Sequence, residues 1–516
     1  MENPLVLTFD IGTQSARALL VTADGLFEDI VQDKYSEPYF SRNPGWAEQR
    51  PDYYYDRICA LAKTLMERNP DKKDRIIAVT ITTIRDTVLC LDKDNKPVRD
   101  IIIWLDKRRA SYNNPFGKVK ETLFKLVGMG RAAKIIYQAS AVNWIMQNEP
   151  DIWKKTEKFV MLPTYLNYKF TGKLIDSVAN MIGHMPFNYR NRTWMKPGEL
   201  TSCIYDIPRS KLCDLVPSGE VIGTVLKSVC DATGIPEGLP LIATGSDKGC
   251  ETLGLSVIRS NQAAISFGTT ATIQMAVKKY FEPQQFMPAY PAVPNDMYNP
   301  EIEIYRGFWL LSWFVKEFGE NTKLEAQKLG CSAEMLLDKE AARIPPGCDG
   351  LMVQPFWTPG IMNPDSLGAV LGFSDFHTHA HLYRAIIEGL DFELYHALKK
   401  MERRSGLTIE ELFVGGGGAK SDIVCQITAD IFGLPVKRIQ THEASSIGAS
   451  MVAFIANGVY DSYEEAIKGM VREKDVFKPN RQNHELYQRL YKKAYNKIEH
   501  YIEPINRSIM EIYKRR

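Results

Sequence analysis

Short apolar blocks with period-two alternation fill the start of the chain. LVLTFD (5–10), ARALLVT (16–22) and LFEDIVQ (26–32) are parted by the turns GTQS and ADG, the pattern of an antiparallel meander. From residue 43 a Pro/Gly turn leads into a helical period that continues through Cys59, Leu61, Ala62, Leu65 and Met66. IIAVTITT (76–83) reads as a buried strand by its β-branched content, and TVLCLD and RDIIIWLD flank the turn KDNKP. Residues 115–218 read as helices such as SAVNWIMQNEPDIWKK and PTYLNYKFTG, joined by loops rich in Pro, Asn and Arg. The strand pattern returns at PLIATG (240–245), which runs into SDKGCETLG, and at QAAISFGTTATIQMAV (262–277). RGFWLLSWFVKEFG is an apolar helix, and HLYRAIIEGLDFELYHALKKME sets Leu382, Ile386, Leu390, Leu394 and Leu398 four apart on one drifting face. ELFVGGGGAKSDIVCQITADIFGLPV predicts a strand, four glycines and a helix carrying Ile423, Ile427 and Ile431 that stops at Gly433 and Pro435. A basic, tyrosine-rich helix from Asn483 onward has a largely solvated face.

Two of these segments share one form: apolar strand, Gly-Thr turn with hydroxyls, apolar strand. In the first, Gly12 permits backbone conformations other residues resist, and Thr13, Gln14 and Ser15 offer hydroxyl, amide and backbone N–H donors to phosphate oxygens. Asp10, ending an otherwise apolar strand, suits a metal held through water; alone, DxGT is equally a hairpin whose Asp caps its own turn. The second copy, at Gly268, Thr269 and Thr270, lies about half a chain away and points to a duplicated architecture with two phosphate-gripping hairpins and one cleft.

Asp247 lies at a strand end and a helix start with glycines on both sides. That position suits a base that must approach its substrate closely, and equally suits a helix N-cap. Arg85, Asp86 and Trp104 stand at the ends of buried strands, where open α/β folds place ligand groups; they suit hydrogen bonding to, and stacking on, a hydroxylated substrate. A surface salt bridge and a core tryptophan are the plainer alternatives. Glycines 415–418 between strand and helix let a flat ligand lie against the backbone, and the helix-start N–H groups of 419–422 add to a site that fits the adenosine end of a nucleotide; tight packing is the alternative. Neither GxxxxGK[ST] nor a chain-leading GxGxxG is present. His377, His379 and His381 have no spaced partner motif for a metal.

A chain of 516 residues exceeds a single core and predicts two or more domains. Its net charge of +2, 45% hydrophobic and 24% charged residues argue against disorder and against a nucleic-acid partner. The start lacks a basic n-region and no apolar run is long enough to span a bilayer, so a cytoplasmic protein without a membrane partner is expected. Nine cysteines without any CxxC favour free thiols over disulfides or zinc.

In order and spacing, DIGTQSAR, PGWAEQ, IIIWLDKR, GSDKG, SFGTT, and VGGGGAKS followed by EASSIGAS resemble the FGGY carbohydrate kinases along almost the whole chain. The resemblance implies an α/β fold of two actin-like ATPase (ribonuclease H-like) domains around a central cleft. An N-terminal domain over 1–255 would carry the sugar site and catalytic base, a C-terminal domain over 256–470 the ATP site, and 471–516 would form a helical extension. By matching motif, Asp247 resembles the catalytic base and Asp10 the aspartate that positions Mg2+, with Asp247 the second metal candidate. Thr13 and Arg17, beside Gln14 and Ser15, resemble the first phosphate-side residues; Gly268 and Thr269, with Thr270, the second phosphate turn; Gly416, Gly417, Gly418 and Ser421 the adenosine site. The implied activity is transfer of the γ-phosphoryl of ATP, with Mg2+, to a hydroxyl of a small sugar or polyol such as glycerol or a pentulose, and a homodimer is the family's habit.

At the substrate end, TTIRDT (82–87) resembles the Arg-Glu element of glycerol kinases more than the Met-His element of xylulokinases, with Asp86 in place of Glu. Lys248 replaces the usual glutamine after the catalytic aspartate and joins Arg85, Asp86, Trp104 and Asp247 as a substrate-side candidate. The loop WTPGIMNPDSLGAVLGF lacks the familiar Glu-Arg before its proline. An actin-like nucleotide switch and a catalytically inactive regulatory relative would share the hairpins and glycine loop. The first has no need of Arg85, Asp86 and Trp104 beside Asp247, and the presence of both Asp10 and Asp247 weighs against the second.

Overall fold

The computed structural model describes residues 3–358, 360 and 366–513, so part of the WTPGIMNPDSLGAVLGF loop lies outside the described residues. Packing divides the chain into two units. Unit 1 holds Met1–Ser256, Pro288–Asn299 and Glu443–Val471; unit 2 holds Val257–Met287, Pro300–His442 and Arg472–Arg516.

Unit 1 is built on a six-stranded sheet in the order Val221–Thr224, Pro240–Ile242, Ile76–Thr83, Leu5–Ile11, Ser15–Thr22, Phe27–Lys34. The expected meander forms, with Leu5 opposite Thr22 and Ile11 opposite Ala16, while Leu5–Ile11 pairs in parallel with Ile76–Thr83 on its other side. Every residue of Leu5–Ile11 is buried, as a central strand covered on both faces must be, whereas the edge strand Phe27–Lys34 alternates between exposed and half-buried positions. Helix Tyr53–Arg68 covers Ser15–Thr22 and Phe27–Lys34. Helix Ala444–Ala456 packs on Leu5–Ile11 and Ile76–Thr83, and a buried hydroxyl chain, Ser450 to Thr8 to Thr80 with two 2.8 Å hydrogen bonds, ties it to the sheet.

The PGWAEQ segment carries a buried charge network in the same unit. Glu48 is fully buried and pairs with Arg99 at 2.7 Å and Arg108 at 3.0 Å. Arg108 also pairs with Asp106 at 2.7 Å, and its guanidinium lies 4.0 Å from the Trp46 ring and 4.6 Å from the Trp144 ring, so the cation is compensated by two carboxylates and two aromatic faces.

Unit 2 repeats the plan. Its six-stranded sheet runs Glu301–Ile304, Ala271–Met275, Gln262–Phe267, Glu411–Gly415, Val436–Ile439, Glu473–Phe477. Across it the pairings go antiparallel, antiparallel, parallel, parallel, antiparallel, the same succession as in unit 1 read from Phe27–Lys34. The duplication read from two Gly-Thr hairpins thus extends to whole sheets. The long helix His379–Ser405 buries Ile386, Leu390, Leu394 and Leu398. The C-terminal helices Arg481–Leu490 and Asn496–Tyr513 belong to this unit; Tyr487 donates a 2.6 Å hydrogen bond to buried Glu388, and Tyr495 stacks on Phe392 at 4.8 Å.

The division by packing differs from boundaries at 255/256 and 470/471. Pro288–Asn299 and Glu443–Val471 complete unit 1, and the segment from Arg472 completes unit 2. The physical reason is that Ala444–Ala456, almost wholly small and apolar, is the helix that buries one side of the first sheet. All nine cysteines are free thiols. His379 pairs with Glu340 at 2.7 Å, His381 with Asp349 at 3.4 Å, and the His377 Nε2 lies 3.1 Å from the Cys348 carbonyl oxygen.

Candidate functional site

In unit 1 the candidate residues gather where parallel strands end. Asp10 pairs in register with Thr82, Arg85 and Asp86 follow Ile76–Thr83, and Pro240–Ile242 leads to Asp247, so all three segments emerge at the carboxyl edge of the sheet. Asp247 is the first residue of helix Asp247–Gly254, but it does not cap it. Ser246 is the N-cap, its Oγ accepting from the Gly249 N–H at 3.2 Å, and Asp247 accepts at Oδ1 from the Lys248 N–H at 2.8 Å. The N-cap alternative is therefore resolved in favour of serine, and the half-buried carboxylate is left to other work. Burial raises its pKa above the ordinary value, with Arg85 and Lys248 opposing and Glu251 adding to the rise.

Asp10 is buried, and desolvation pushes its carboxyl up to about 7 against the pull of Arg17; Glu443, Asp247 and Glu251 push in the same direction as burial. Arg17 bridges Asp10 at 3.6 Å and Glu443 at 3.2 Å. The turn between them is tight: Gly12 N–H donates to the Ser15 carbonyl at 2.9 Å, and a Cβ on Gly12 would sit 3.3 Å from the same oxygen. Ser15 is buried and accepts from the Gln32 amide at 3.3 Å, Gln14 is exposed, and its carbonyl receives the Tyr35 N–H. Trp104 does more than line a core. Its Nε1–H donates to Thr13 Oγ1 at 3.0 Å, fixing the first hairpin to the strand-end aromatic.

Arg85 lies 5.5 Å over the Tyr290 ring and draws down the pKa of both Asp247 and Asp86. Asp86 adopts φ +48°, a conformation rare outside glycine, and both of its oxygens face His184: Oδ1 accepts the His184 backbone N–H at 2.9 Å and Oδ2 lies 2.7 Å from Nδ1. Burial would raise the Asp86 carboxyl, but His184 holds it below its usual range; burial would lower the imidazole, but Asp86 holds it above its usual value. Lys248 reaches back to Glu251 at 2.8 Å. His184, Glu251 and Glu443 are absent from the residues singled out by sequence; Glu251 and Glu443 lay inside SDKGCETLG and EASSIGAS, and His184 had no motif signal.

The donor set bears on a metal. Asp10 would carry a proton near neutrality while three other carboxylates act on it, a state that a cation relieves. Among the described residues no three His, Cys, Asp or Glu side chains stand close enough to hold a metal ion directly. Asp10, with Asp247 acting on it, offers one or two carboxylates, a donor set that suits an ion keeping much of its water, as Mg2+ does.

In unit 2 the two remaining motifs touch. Strands Gln262–Phe267 and Glu411–Gly415 are parallel neighbours with Ser266 opposite Gly415, so the Gly268, Thr269, Thr270 turn and the glycine loop leave the sheet side by side. Gly416, at φ +79°, leaves no room for a Cβ, which would lie 2.9 Å from the Phe267 carbonyl carbon and 3.1 Å from Gly268 N. A Cβ on Gly418 would meet Phe308 at 2.6 Å, whereas one on Gly417 would meet nothing within 4 Å. Two of the glycines thus serve packing and Gly417 faces open space. Ser421 caps helix Asp422–Phe432, its Oγ accepting from the Val424 N–H at 3.3 Å.

Comparison with known proteins adds an independent line. Residues 5–254 match the N-terminal domain, and residues 263–457 the C-terminal domain, of the FGGY family of carbohydrate kinases. An uncharacterized sugar kinase of Escherichia coli (strain K12), YgcE, is 26% identical over 514 residues, covering 99% of this chain and 96% of that protein. A xylulose kinase of Staphylococcus epidermidis is 26% identical over 505 residues, covering 95% and 96%. The crystal structure of gluconate kinase from Lactobacillus acidophilus superimposes with a TM-score of 0.82 at 21% identity, over 97% of this chain and 99% of that one.

Proposed function

Because the chain belongs to the FGGY family of carbohydrate kinases, we propose that it transfers the γ-phosphoryl group of ATP to a hydroxyl of a small sugar or polyol, with Asp247 as the base. The observation that carries this reading is the state of Asp247: at a helix start capped by its neighbour, half-buried, with a raised pKa and Arg85 within electrostatic range. A carboxylate so placed accepts the proton of the attacking hydroxyl as the oxygen closes on phosphorus, and its raised pKa brings it nearer the working pH than an ordinary aspartate.

Thr13, Gln14, Ser15 and Arg17 would orient phosphoryl oxygens from unit 1, with Trp104 holding Thr13 in place. In unit 2 the N–H groups of the Gly268, Thr269, Thr270 turn would take phosphate, and Gly416, Gly417, Gly418 and the Ser421 helix start would hold adenosine, with Gly417 as the open backbone face. Mg2+, held through water by Asp10 and approached by Asp247, would offset charge on the phosphate oxygens. Arg85, Asp86, Trp104 and Lys248 form the substrate side. The relatives are named for a ketose, an aldonate and glycerol, which sets classes the panel must include. ADP release measured with polyols, ketoses, aldonates and deoxysugars tests the reading: stimulation by one class supports it, and no stimulation by any refutes it.

A further inference from the structure

The pairing of Asp86 with His184 is built with more care than a buried salt bridge requires. A left-handed, non-glycine backbone at Asp86 is held by its N–H donating to the Ile182 carbonyl at 3.2 Å, and both carboxylate oxygens are committed to His184. The partner segment approaches so closely that only glycine fits at 183: a Cβ there would overlap the Asp86 carboxylate and lie 2.8 Å from Met161 Cε. Tyr189 OH donates to the Gly183 carbonyl at 3.0 Å and accepts from its N–H at 3.3 Å; its ring meets Tyr290 edge-on at 5.6 Å, the ring over which Arg85 lies. Asp86 thus fixes the imidazole and Tyr189 the Gly183 peptide beside it; the ring remains about one-fifth exposed, with Nδ1 and the backbone N–H of His184 turned to Asp86. Arg85 acts on both Asp86 and Asp247, so this imidazole and the base lie in one electrostatic neighbourhood.

We propose that His184 is a specificity-determining residue whose Nε2–H donates to a substrate oxygen that carries no proton of its own, the carbonyl of a ketose or the carboxylate of an aldonate. The proposal rests on the sugar-kinase reading. Its chemistry is one of matching. With Nδ1–H donating to Asp86, Nε2 carries a proton and donates while the ring is charged, the form the facing carboxylate favours; Arg85 is a donor only; each Asp86 oxygen already accepts one bond. Such a wall suits an acceptor, and the bond it forms is charge-assisted. Asp86 favours the charge on the ring and Arg109 opposes it, with Arg85 and the Tyr189 hydroxyl close by.

The test uses the full-length enzyme with D-xylulose, D-gluconate and xylitol as probes, measuring kcat and KM separately for wild type, His184→Ala and His184→Gln, the last keeping an N–H donor. His184→Ala should raise KM for the acceptor-bearing probe roughly ten- to a hundredfold with little change in kcat and little effect on xylitol, and His184→Gln should recover part of the loss. A loss confined to gluconate assigns the carboxylate, and one confined to xylulose the carbonyl. In wild type that KM should also climb with pH as the ring loses its proton, a trend His184→Gln lacks. Equal losses on all probes, unchanged KM in His184→Ala, or a wild type that turns over xylitol alone overturns the inference and leaves the kinase reading standing. No turnover of these probes or of any sugar in the wider panel overturns both.

Discussion

The decisive perturbation outside the chemistry is Gly448→Ala. Helices Asp247–Gly254 and Ala444–Ala456 cross backbone against backbone through a reciprocal pair of glycines. A Cβ on Gly448 would overlap the Cys250 carbonyl oxygen, lying 2.8 Å from its carbon and 3.0 Å from Gly254 N; a Cβ on Gly254 would overlap the Ala444 carbonyl in the same way, 2.8 Å from its carbon and 3.0 Å from Gly448 N. Carbon atoms in contact need about 3.5–4.0 Å, and no side chain is present to swing aside, so the helices must part by about 1 Å. In an unencumbered helix Gly→Ala stabilises by about 0.5–1 kcal/mol; here overpacking reverses the sign and costs about 1–3 kcal/mol. The displaced helix begins with Asp247, and a 1 Å misplacement of a reacting group is worth about a hundredfold in rate. Thermal unfolding should show a midpoint lowered by a few degrees, at about 1.5–2 °C per kcal/mol for a unit of this size. A coupled ADP assay should show kcat falling far more than KM changes. A Gly448→Ala protein with an unchanged or raised midpoint and wild-type kcat would refute the packing argument.

Asp247→Asn should fold, melt like the wild type and lose phosphoryl transfer by about a hundredfold or more; near-normal turnover would remove Asp247 from its assigned role. Because the base works only when deprotonated and burial raises its pKa, kcat/KM should rise with pH along an acid limb displaced above the ordinary aspartate range, read from initial rates between pH 4 and 8; a limb at the ordinary value would contradict the assignment. Asp10, pushed up to about 7, takes up its proton as pH falls through that value, so half-activation should need more Mg2+ at pH 6 than at pH 8 in wild type; an equal requirement at both would sink the metal assignment, and Asp10→Asn should flatten the trend. Glu48→Gln removes the carboxylate shared by buried Arg99 and Arg108, which keep Glu149 at 2.8 Å and Asp106 at 2.7 Å, and should cost about 1–3 kcal/mol, seen as a lower urea midpoint, while no measurable change would mean that the remaining carboxylates suffice.

The hairpins were legible because alternation with a Gly-Thr turn is a local signal, and the repeated form at residues 262–277 made the duplication legible as well. Asp247 was located, and its local sequence fitted base and cap alike: in GSDKG both Ser246 and Asp247 are good caps, and only the hydrogen bond from Gly249 to Ser246 separates them. His184 was invisible because it meets Asp86 across 98 residues of sequence, and a histidine in IGHMPF carries no periodic or spacing cue. The boundary near 470 and the division by packing differ over EASSIGASMVAFIA for a related reason. Its small, apolar residues announce a buried helix without saying which sheet it covers.

Unit 1 takes its pieces from both ends of the polypeptide, and this sets an order of events during synthesis. When Ser256 leaves the ribosome, the strand Leu5–Ile11 still lacks the helix whose Ser450 will bond Thr8. Translation must run on to Val471 before that face is covered, and at about 5–20 residues per second the wait lasts on the order of ten seconds or more. Through that interval the nascent sheet offers bare valine, leucine and isoleucine to solvent. A fragment cut at Ser256 would remain in that state permanently, a client for chaperones and proteases and not a folding domain.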